Sequence, residues 1–392
     1  MQIADAGTSS GQLTCRVLTD PRCFEQLRPW WDALLTASEE FTPWQSLDYV
    51  IHWWTHMSRA KQLRVFVVER AGTPCLIVPL QVSTRFQMLG LPVRMLEPIG
   101  MIMYVNRPRL ALGPTDAAAY ECALEHILRL RNDWHLIRID EKPLDDPEVT
   151  LLRKFARERG LLYRDVFSHV CPYLDLRQPW SRYLQSRSKK LRKNLRAAHR
   201  RLEQTGRVWV RSFESPADID EAYEIVLRLH RRSWKRHTRI EYGHSRGYQQ
   251  FFRAWLTEMA QRARARILVL FCADRPVAAT VAIMDRGTYY SAQIVHDRAF
   301  SHCSPGTLLE SIELEQLMTQ QKFETYDFLG AFLRNKLRWT ATARPTALVF
   351  VMQRRWRNRV IDAYYFHVKP RVKQLLRRLF NRGAPPNPIR TG

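Results

Sequence analysis

Acidic side chains are scarce in this chain: 38 Asp and Glu stand against 62 Lys and Arg, a formal net charge of +24 over 392 residues. That imbalance favours anionic partners such as nucleic acid, lipid headgroups, acidic glycans or phosphate-rich ligands, and says nothing about fold. Cysteine is sparse too. The seven cysteines include no CxxC pair and no Cys/His run at metal-ligand spacing. This argues against a structural zinc site and for a reduced, intracellular compartment, and no metal is expected. Long apolar runs are missing: nothing approaches the ~20 residues needed to span a bilayer. The best candidate, Val65–Leu80, is broken by Glu69, Arg70, Gly72 and Pro74. The opening MQIADAGTSSGQ lacks the basic-then-apolar order of a signal peptide. No helix-turn-helix, RNP or zinc-finger pattern is present, which argues against a nucleic-acid-binding protein, the rival reading of so basic a chain.

What is present is globular. Hydrophobic residues make up 45% of the chain, enough to fill the cores of two ordinary domains. Trp-rich helices over 29–36 and 49–57 precede a strand pair at 63–70 and 75–82. A helix at 117–130, a strand at 135–140 and a helix at 148–159 closed by Gly160 follow. A basic helix is expected to run unbroken from Trp180 to Gln204. After it come strand 208–213, helices 217–235 and 248–264, strands 267–272, 277–284 and 288–295, helix 305–320, and strands 325–329 and 346–352. This helix, meander, helix, strand order occurs about twice, an α/β (mixed α+β) pattern. The tail after Met352 has apolar residues at helical spacing, among them Val360, Ile361, Tyr364, Tyr365 and Val368, within a basic stretch from Arg354 to Arg382. Such a segment suits the surface of an anionic membrane.

The chemistry is expected between Gln293 and Trp339. There a strand ends at Ile294-Val295-His296-Asp297, and a helix opens with Ser304-Pro305-Gly306-Thr307-Leu308-Leu309. Ser304 suits the N-cap, Pro305 the first helical position, and Gly306 a close backbone approach to a ligand. The orphan N–H groups of such a start attract an anion, a pyrophosphate being the natural occupant, while taken alone the same residues also read as a simple well-capped helix. Alternation puts Tyr290, Ile294 and His296 on one face of the strand and Tyr289, Gln293 and Asp297 on the other. His296, Asp297 and Asp327 are candidate general bases, which the sequence does not rank. Each also has an ordinary role open to it: loop capping for the first two, a strand-end hydrogen bond for Asp327. Tyr290, Lys336 and Trp339 are placed where an acceptor or phosphate would sit, with a solvated Lys and a packed Trp the ordinary readings of the last two. Cys303 reads as an incidental thiol.

The ordered set Ser304-Pro305-Gly306 with Leu308-Leu309, Tyr326-Asp327-Phe328-Leu329-Gly330, and Lys336 with Trp339 resembles the CelD/BioF2-like acetyltransferases of the GNAT superfamily. The basic segment Ser186–Arg196, Leu229-His230 with Trp234, and Thr42-Pro43-Trp44-Gln45-Ser46 with Trp53 are similar to further parts of that family, so the likeness spans about residues 25 to 350. The resemblance implies a tandem acyl-CoA N-acyltransferase (GNAT)-like fold of two central mixed sheets, related to the FemABX transferases. It implies an N-terminal half at 21–168 and an acyl-CoA-binding half at 169–352; the residues on either side are expected to form a disordered N-terminus at 1–20 and a basic amphipathic helix and disordered tail at 353–392. It implies acetyl-CoA or another acyl-CoA as substrate, bound through Ile294, Val295 and Ser304–Leu309. The expected acceptor is an anionic amine such as a polysaccharide precursor, in a cytoplasmic enzyme with peripheral contact at the inner membrane face. The chain departs from the superfamily's Arg/Gln-x-x-Gly-x-Gly/Ala signature, having His302-Cys303-Ser304-Pro305-Gly306-Thr307, and carries Ala331 where the family has an acid. A FemABX-like, aminoacyl-tRNA-dependent transferase is the alternative, though the long helical-hairpin insertion typical of it is not found.

Overall fold

The computed structural model describes residues 12–38, 42–59, 61–102, 107–233, 245–330 and 333–372. In the first half, β1 (Leu13–Leu18), α1 (Cys23–Ala37) and α2 (Leu47–Met57) lead into β2 (Lys61–Arg70), β3 (Thr73–Met88) and β4 (Leu91–Pro98). Then come α3 (Ala117–Arg129), β5 (Leu136–Pro143), α4 (Pro147–Glu158) and β6 (Leu162–Asp175). Two basic helices follow, α5 (Trp180–Ser186) and α6 (Lys189–Glu203). The second half repeats the order: β7 (Val208–Phe213), α7 (Pro216–Arg232), α8 (Arg246–Gln261), β8 (Ala265–Cys272), β9 (Arg275–Asp285) and β10 (Thr288–His296). It continues with α9 (Pro305–Gln320), β11 (Thr325–Asp327), α10 (Leu333–Lys336) and β12 (Ala343–Met352), after which α11 (Trp356–Asp362) passes into a π-helical turn, Ala363–Val368.

The repeat extends to strand direction. In each half an antiparallel meander is followed by a helix and a parallel strand: β4 beside β5 after α3, and β10 beside β11 after α9. The two sheets expected are joined into one of twelve strands, in the order β1-β2-β3-β4-β5-β12-β6-β11-β10-β9-β8-β7. The seam is an exchange. The last strand of each half crosses into the other, so that β12 lies between β5 and β6, and β6 reaches β11.

This corrects the boundary at 168/169, which cuts through β6 and assigns β12 to the wrong sheet. It also corrects the disordered start: Leu13–Leu18 pair with Val65–Arg70 as the edge strand. The single helix expected over 180–204 is broken at Arg187, which is extended. Ser188 caps the second piece by accepting from the Leu191 N–H, a side-chain bond that competes with continued helix. Gly160 does end α4, with φ +63°.

Alternation along β8 shows how the sheet is covered. Ile267, Val269 and Phe271 face one core with α7 and α8, while Leu268, Leu270 and Cys272 face another with Leu202 of α6 and Leu308 and Leu309 of α9. With apolar cover on both faces, every residue of β8 is buried. The first of these cores also takes in α1 and α2. Tyr49 meets Trp255 edge-on at 4.9 Å, and Trp53 meets Phe251 at 5.2 Å. The Trp-rich start of the chain thus packs on the second half, and the halves share a core as well as a sheet.

Candidate functional site

The parallel pair β10 and β11 holds together over three rungs only, Thr288↔Thr325, Tyr289↔Tyr326 and Tyr290↔Asp327. Beyond Tyr290, β10 runs on to His296 against β9 alone. After Asp327 the other chain turns away through Leu329, whose φ is +55°. The strands therefore part, and α9 begins beside the part of β10 left behind. A Cβ built on Gly306 would lie 3.5 Å from His296 Nδ1 and 3.6 Å from Ile294 Cδ1. A bulge between Ser291 and Gln293 corrects the expected alternation. One extra residue shifts the phase of every side chain after it. Tyr290 consequently packs edge-on against Trp44 at 5.3 Å in the α7/α8 core, whereas Ile294 and His296 face the start of α9.

Ser304 does occupy the cap position of α9, but in left-handed backbone (φ +50°, ψ 48°) and without a side-chain cap bond. Its carbonyl accepts from the Thr307 and Leu308 N–H groups, each at 3.1 Å. No cap side chain screens the positive end of this 16-residue helix, the arrangement in which a helix start attracts an anion. A cation stands beside it: Arg338 donates through Nη1 to Thr307 Oγ1 at 2.9 Å. Sequence reasoning passed over Arg338, although it falls between Lys336 and Trp339.

The candidate bases fare differently. Asp297 is buried, caps the following turn by accepting from the Ala299 N–H at 3.0 Å, and receives Arg275 Nη2 at 2.8 Å. Asp327 is buried as well; its Oδ1 accepts from the Leu329 N–H and its Oδ2 from Arg107 Nη2 at 2.7 Å. Both carboxylates are thus committed to structural bonds. His296, half-buried, lies at the opening, with Nε2 3.4 Å from Ser301 Oγ.

Two acids on α9 were missed, because a glutamate inside a helix gives no sequence signal of burial. Glu313 is fully buried and accepts from Thr280 Oγ1 (2.6 Å), Tyr289 OH (2.7 Å) and Tyr326 OH (2.8 Å), tying α9 to β9, β10 and β11. Glu310, one turn beyond Gly306, accepts from Trp339 Nε1 at 2.5 Å. Burial pushes the Glu310 carboxyl up to about 7; the bond from Trp339 opposes that rise and the Glu313 charge adds to it.

Other expected contacts prove internal. Trp339 is fully buried, with its indole N–H on Glu310. Lys336 spends its ammonium on the carbonyls of Phe328 (2.6 Å), Leu329 (3.2 Å) and Gly330, and burial pushes it down to about 8. Both hold the turn after β11 in shape rather than facing a substrate. Val295, Pro305, Leu308 and Leu309 have buried side chains, leaving only their backbone for a ligand, and Cys303 is buried also. His230 Nε2 lies 3.3 Å from Gln293 Oε1, while Trp234 falls outside the described residues.

On the face away from α9, a cleft of about 240 Å³ opens at the last rung of the β10/β11 ladder, lined by Gln45, Arg107, Tyr290, Asp327 and Arg344 among others. It is built from both halves. Two buried donors there, Arg107 Nη1 and Gln45 Nε2, have no hydrogen-bond partner among the described residues.

Against known proteins, no curated sequence matches the chain. Its fold is similar to the crystal structure of FemX, with a TM-score of 0.55 at 10% identity over 82% of this chain and 95% of that one. A conserved protein of unknown function from Bacteroides thetaiotaomicron VPI-5482 is similar at a TM-score of 0.52 and 10% identity, over 83% and 97%. At such identity the likeness speaks to fold alone. The deciding match is in sequence. Residues 189–339 match the acetyltransferase (GNAT) domain. The matched segment begins at α6 and ends at Trp339, so it contains the parted strands, the start of α9 and both buried glutamates. The whole molecule is a tandem GNAT-like fold, with the matched segment on the second half's side of the seam.

Proposed function

We propose that this protein is a GNAT-type N-acyltransferase of the CelD/BioF2-like kind, moving an acetyl or other acyl group from acyl-CoA to an amine in cell-envelope or exopolysaccharide biosynthesis. The observation that carries the reading is the parting of β10 and β11 directly beside the uncapped start of α9. The pyrophosphate sits at the N–H of Gly306, at the positive end of α9, with Arg338 alongside. The thioester lies in the gap, and a backbone N–H in Ile294–His296 receives the developing oxyanion. The acceptor enters from the cleft on the other face, where Arg107 Nη1 and Gln45 Nε2 offer donors to an anionic group.

The amine nitrogen attacks the thioester carbonyl, the C–N bond forms, the C–S bond breaks, and CoA leaves as its thiolate. The proton lost from the amine needs a base whose pKa lies near neutrality. Glu310, held near 7, fits that role, and His296 stands at the opening, whereas the oxygens of Asp297 and Asp327 already accept from arginines.

Calorimetric titration with acetyl-CoA and with free CoA tests the reading. Saturable heat from both is expected; no heat and no thermal shift at millimolar ligand would overturn it. Binding of aminoacyl-tRNA without CoA binding would favour the FemABX-like alternative.

A further inference from the structure

A second constellation lies outside residues 189–339, on the seam where the halves exchange strands. His169 and Cys171 project from one face of β6, two residues apart, and Glu141 reaches toward them from β5 with β12 between. Cys171 Sγ is 3.5 Å from His169 Nε2, and Glu141 Oε2 is 3.7 Å from that same nitrogen; all three ligand atoms lie within 4.8 Å of one another. We propose that Glu141, His169 and Cys171 form a binding site for a single zinc-class divalent ion, with water in the fourth position.

The two spacings about Nε2, 3.5 and 3.7 Å, are close to those between a metal's ligands. Tetrahedral zinc, with bonds of about 2.0–2.3 Å, holds its N, O and S ligands about 3.4–3.6 Å apart. A cation at the centre would meet Nε2, the thiolate and the carboxylate at once. The other ring nitrogen is already committed: Nδ1 lies 2.9 Å from Ser168 Oγ. With Nδ1–H donating there, the Nε2 lone pair points into the cluster, as in metal-binding histidines oriented by a second partner.

Glu141 supports the same reading from the backbone. It is almost fully buried and adopts left-handed φ (+58°) inside a strand, where the β5/β12 register slips between Ala347 and Val349. A buried non-glycine in that conformation is held by its surroundings and aims its side chain off the regular pleat.

A carboxylate and a thiolate together neutralise a divalent ion, and the mixed S, N and O set suits zinc rather than magnesium or calcium. The nearby cations do not occupy the site, since Arg107 is paired with Asp327 and Lys336 with three carbonyls. Sequence spacing conceals the cluster because Glu141 comes from a different strand.

The test uses the full chain, reduced and freed of metal with a chelator, and reads binding directly. Zinc sulfate should titrate to one ion per chain and raise the melting temperature. Cobalt(II) in its place should give tetrahedral d–d absorption with a thiolate-to-metal charge-transfer band. Cys171→Ser and His169→Gln should abolish one-to-one binding and the cobalt band, Ser168→Ala should weaken zinc about tenfold, and Cys303→Ser should change nothing. Metal-free melting curves separate a lost ligand from a lost fold. Absence of the charge-transfer band in the unaltered chain, or one-to-one zinc binding that survives Cys171→Ser and His169→Gln, would overturn the proposal. None of these readouts depends on acyl-CoA.

Discussion

Arg107, from the first half of the chain, donates to Asp327 at the end of β11 across 220 residues of sequence, with 2.7 Å between Nη2 and Oδ2. The pair is buried, at 10% and 1% side-chain exposure, and it fixes the rung where the strands part. Removing one partner strands the other charge. Arg107→Gln should therefore cost about 3 kcal/mol in urea unfolding, toward the low end because Arg344 stands 3.8 Å from the same carboxylate oxygen. Asp327→Asn should lower stability and raise the acceptor KM while leaving the acid limb of the pH–rate profile in place. Loss of that limb would instead make Asp327 the general base.

Gly306 separates CoA binding from folding. A methyl group there meets only ordinary contacts with Ile294 and His296, so Gly306→Ala should fold normally. Gly306→Glu sets a negative charge where the pyrophosphate is proposed to rest, and it should weaken CoA at least about tenfold. Calorimetry checks this. Equal CoA affinity in the glutamate variant would move the cofactor away from α9.

Much of this was legible in sequence, and the failures share a cause. The helix Pro305–Gln320 and the strands around it carry clear periodicity and turn residues, so they were read closely. Three strands, β1, β4 and β6, were not read, and without them the repeat of the halves was only partly visible. β6 carries an irregular burial pattern because it is shared between two sheets, and no local alternation encodes a strand exchange. The bulge at Ser291/Gln293 puts Tyr290 and His296, which alternation places together, on opposite faces, a tertiary feature that a run of Tyr, Ser, Ala and Gln does not announce. Burial of Glu310 and Glu313 was invisible for the same reason: three of the donors that make it tolerable, Thr280, Tyr289 and Trp339, lie far away in sequence.

Glu310 gives a pH test with a defined sign. Its folded-state value is raised, from 4.5 to about 7, chiefly by burial. Below pH 4.5 the group is protonated whether folded or unfolded and imposes no penalty. As pH rises from there toward about 7 the unfolded chain ionises first, and stability falls; above about 7 the loss is complete, on the order of 1–3 kcal/mol. Glu310→Gln should remove this slope and be the more stable protein at pH 8. If Glu310 is the base, kcat/KM should rise with pH to a plateau above about 7, and the glutamine variant should lose most of its activity at every pH. A variant that keeps both activity and limb would leave His296 as the base.

The C-terminal segment makes the last case. Trp356, Val360, Tyr364, Val368 and Val372 recur every fourth residue and are 69%, 45%, 37%, 48% and 47% exposed. Their neighbours Asn358, Ile361 and Asp362 are buried, and Asp362 accepts from Arg164 Nε at 2.8 Å, so the inner face is anchored and the apolar stripe is left outside. Arg354, Arg355, Arg357, Arg359, Lys369 and Arg371 flank it, while Leu375 to Arg382 lie outside the described residues. No helix is long and apolar enough to cross a membrane among the described residues. An exposed apolar stripe edged with cations is suited instead to lying on an anionic bilayer, where each nearby Lys or Arg adds about 1 kcal/mol. Sedimentation with vesicles should show binding that grows with the anionic lipid fraction and weakens with salt. Val360→Glu combined with Tyr364→Glu should reduce it about tenfold or more without shifting the melting temperature, since neither side chain is part of the core. Binding unchanged by that double substitution would mean that charge alone, spread over this very basic surface, holds the protein to the lipid.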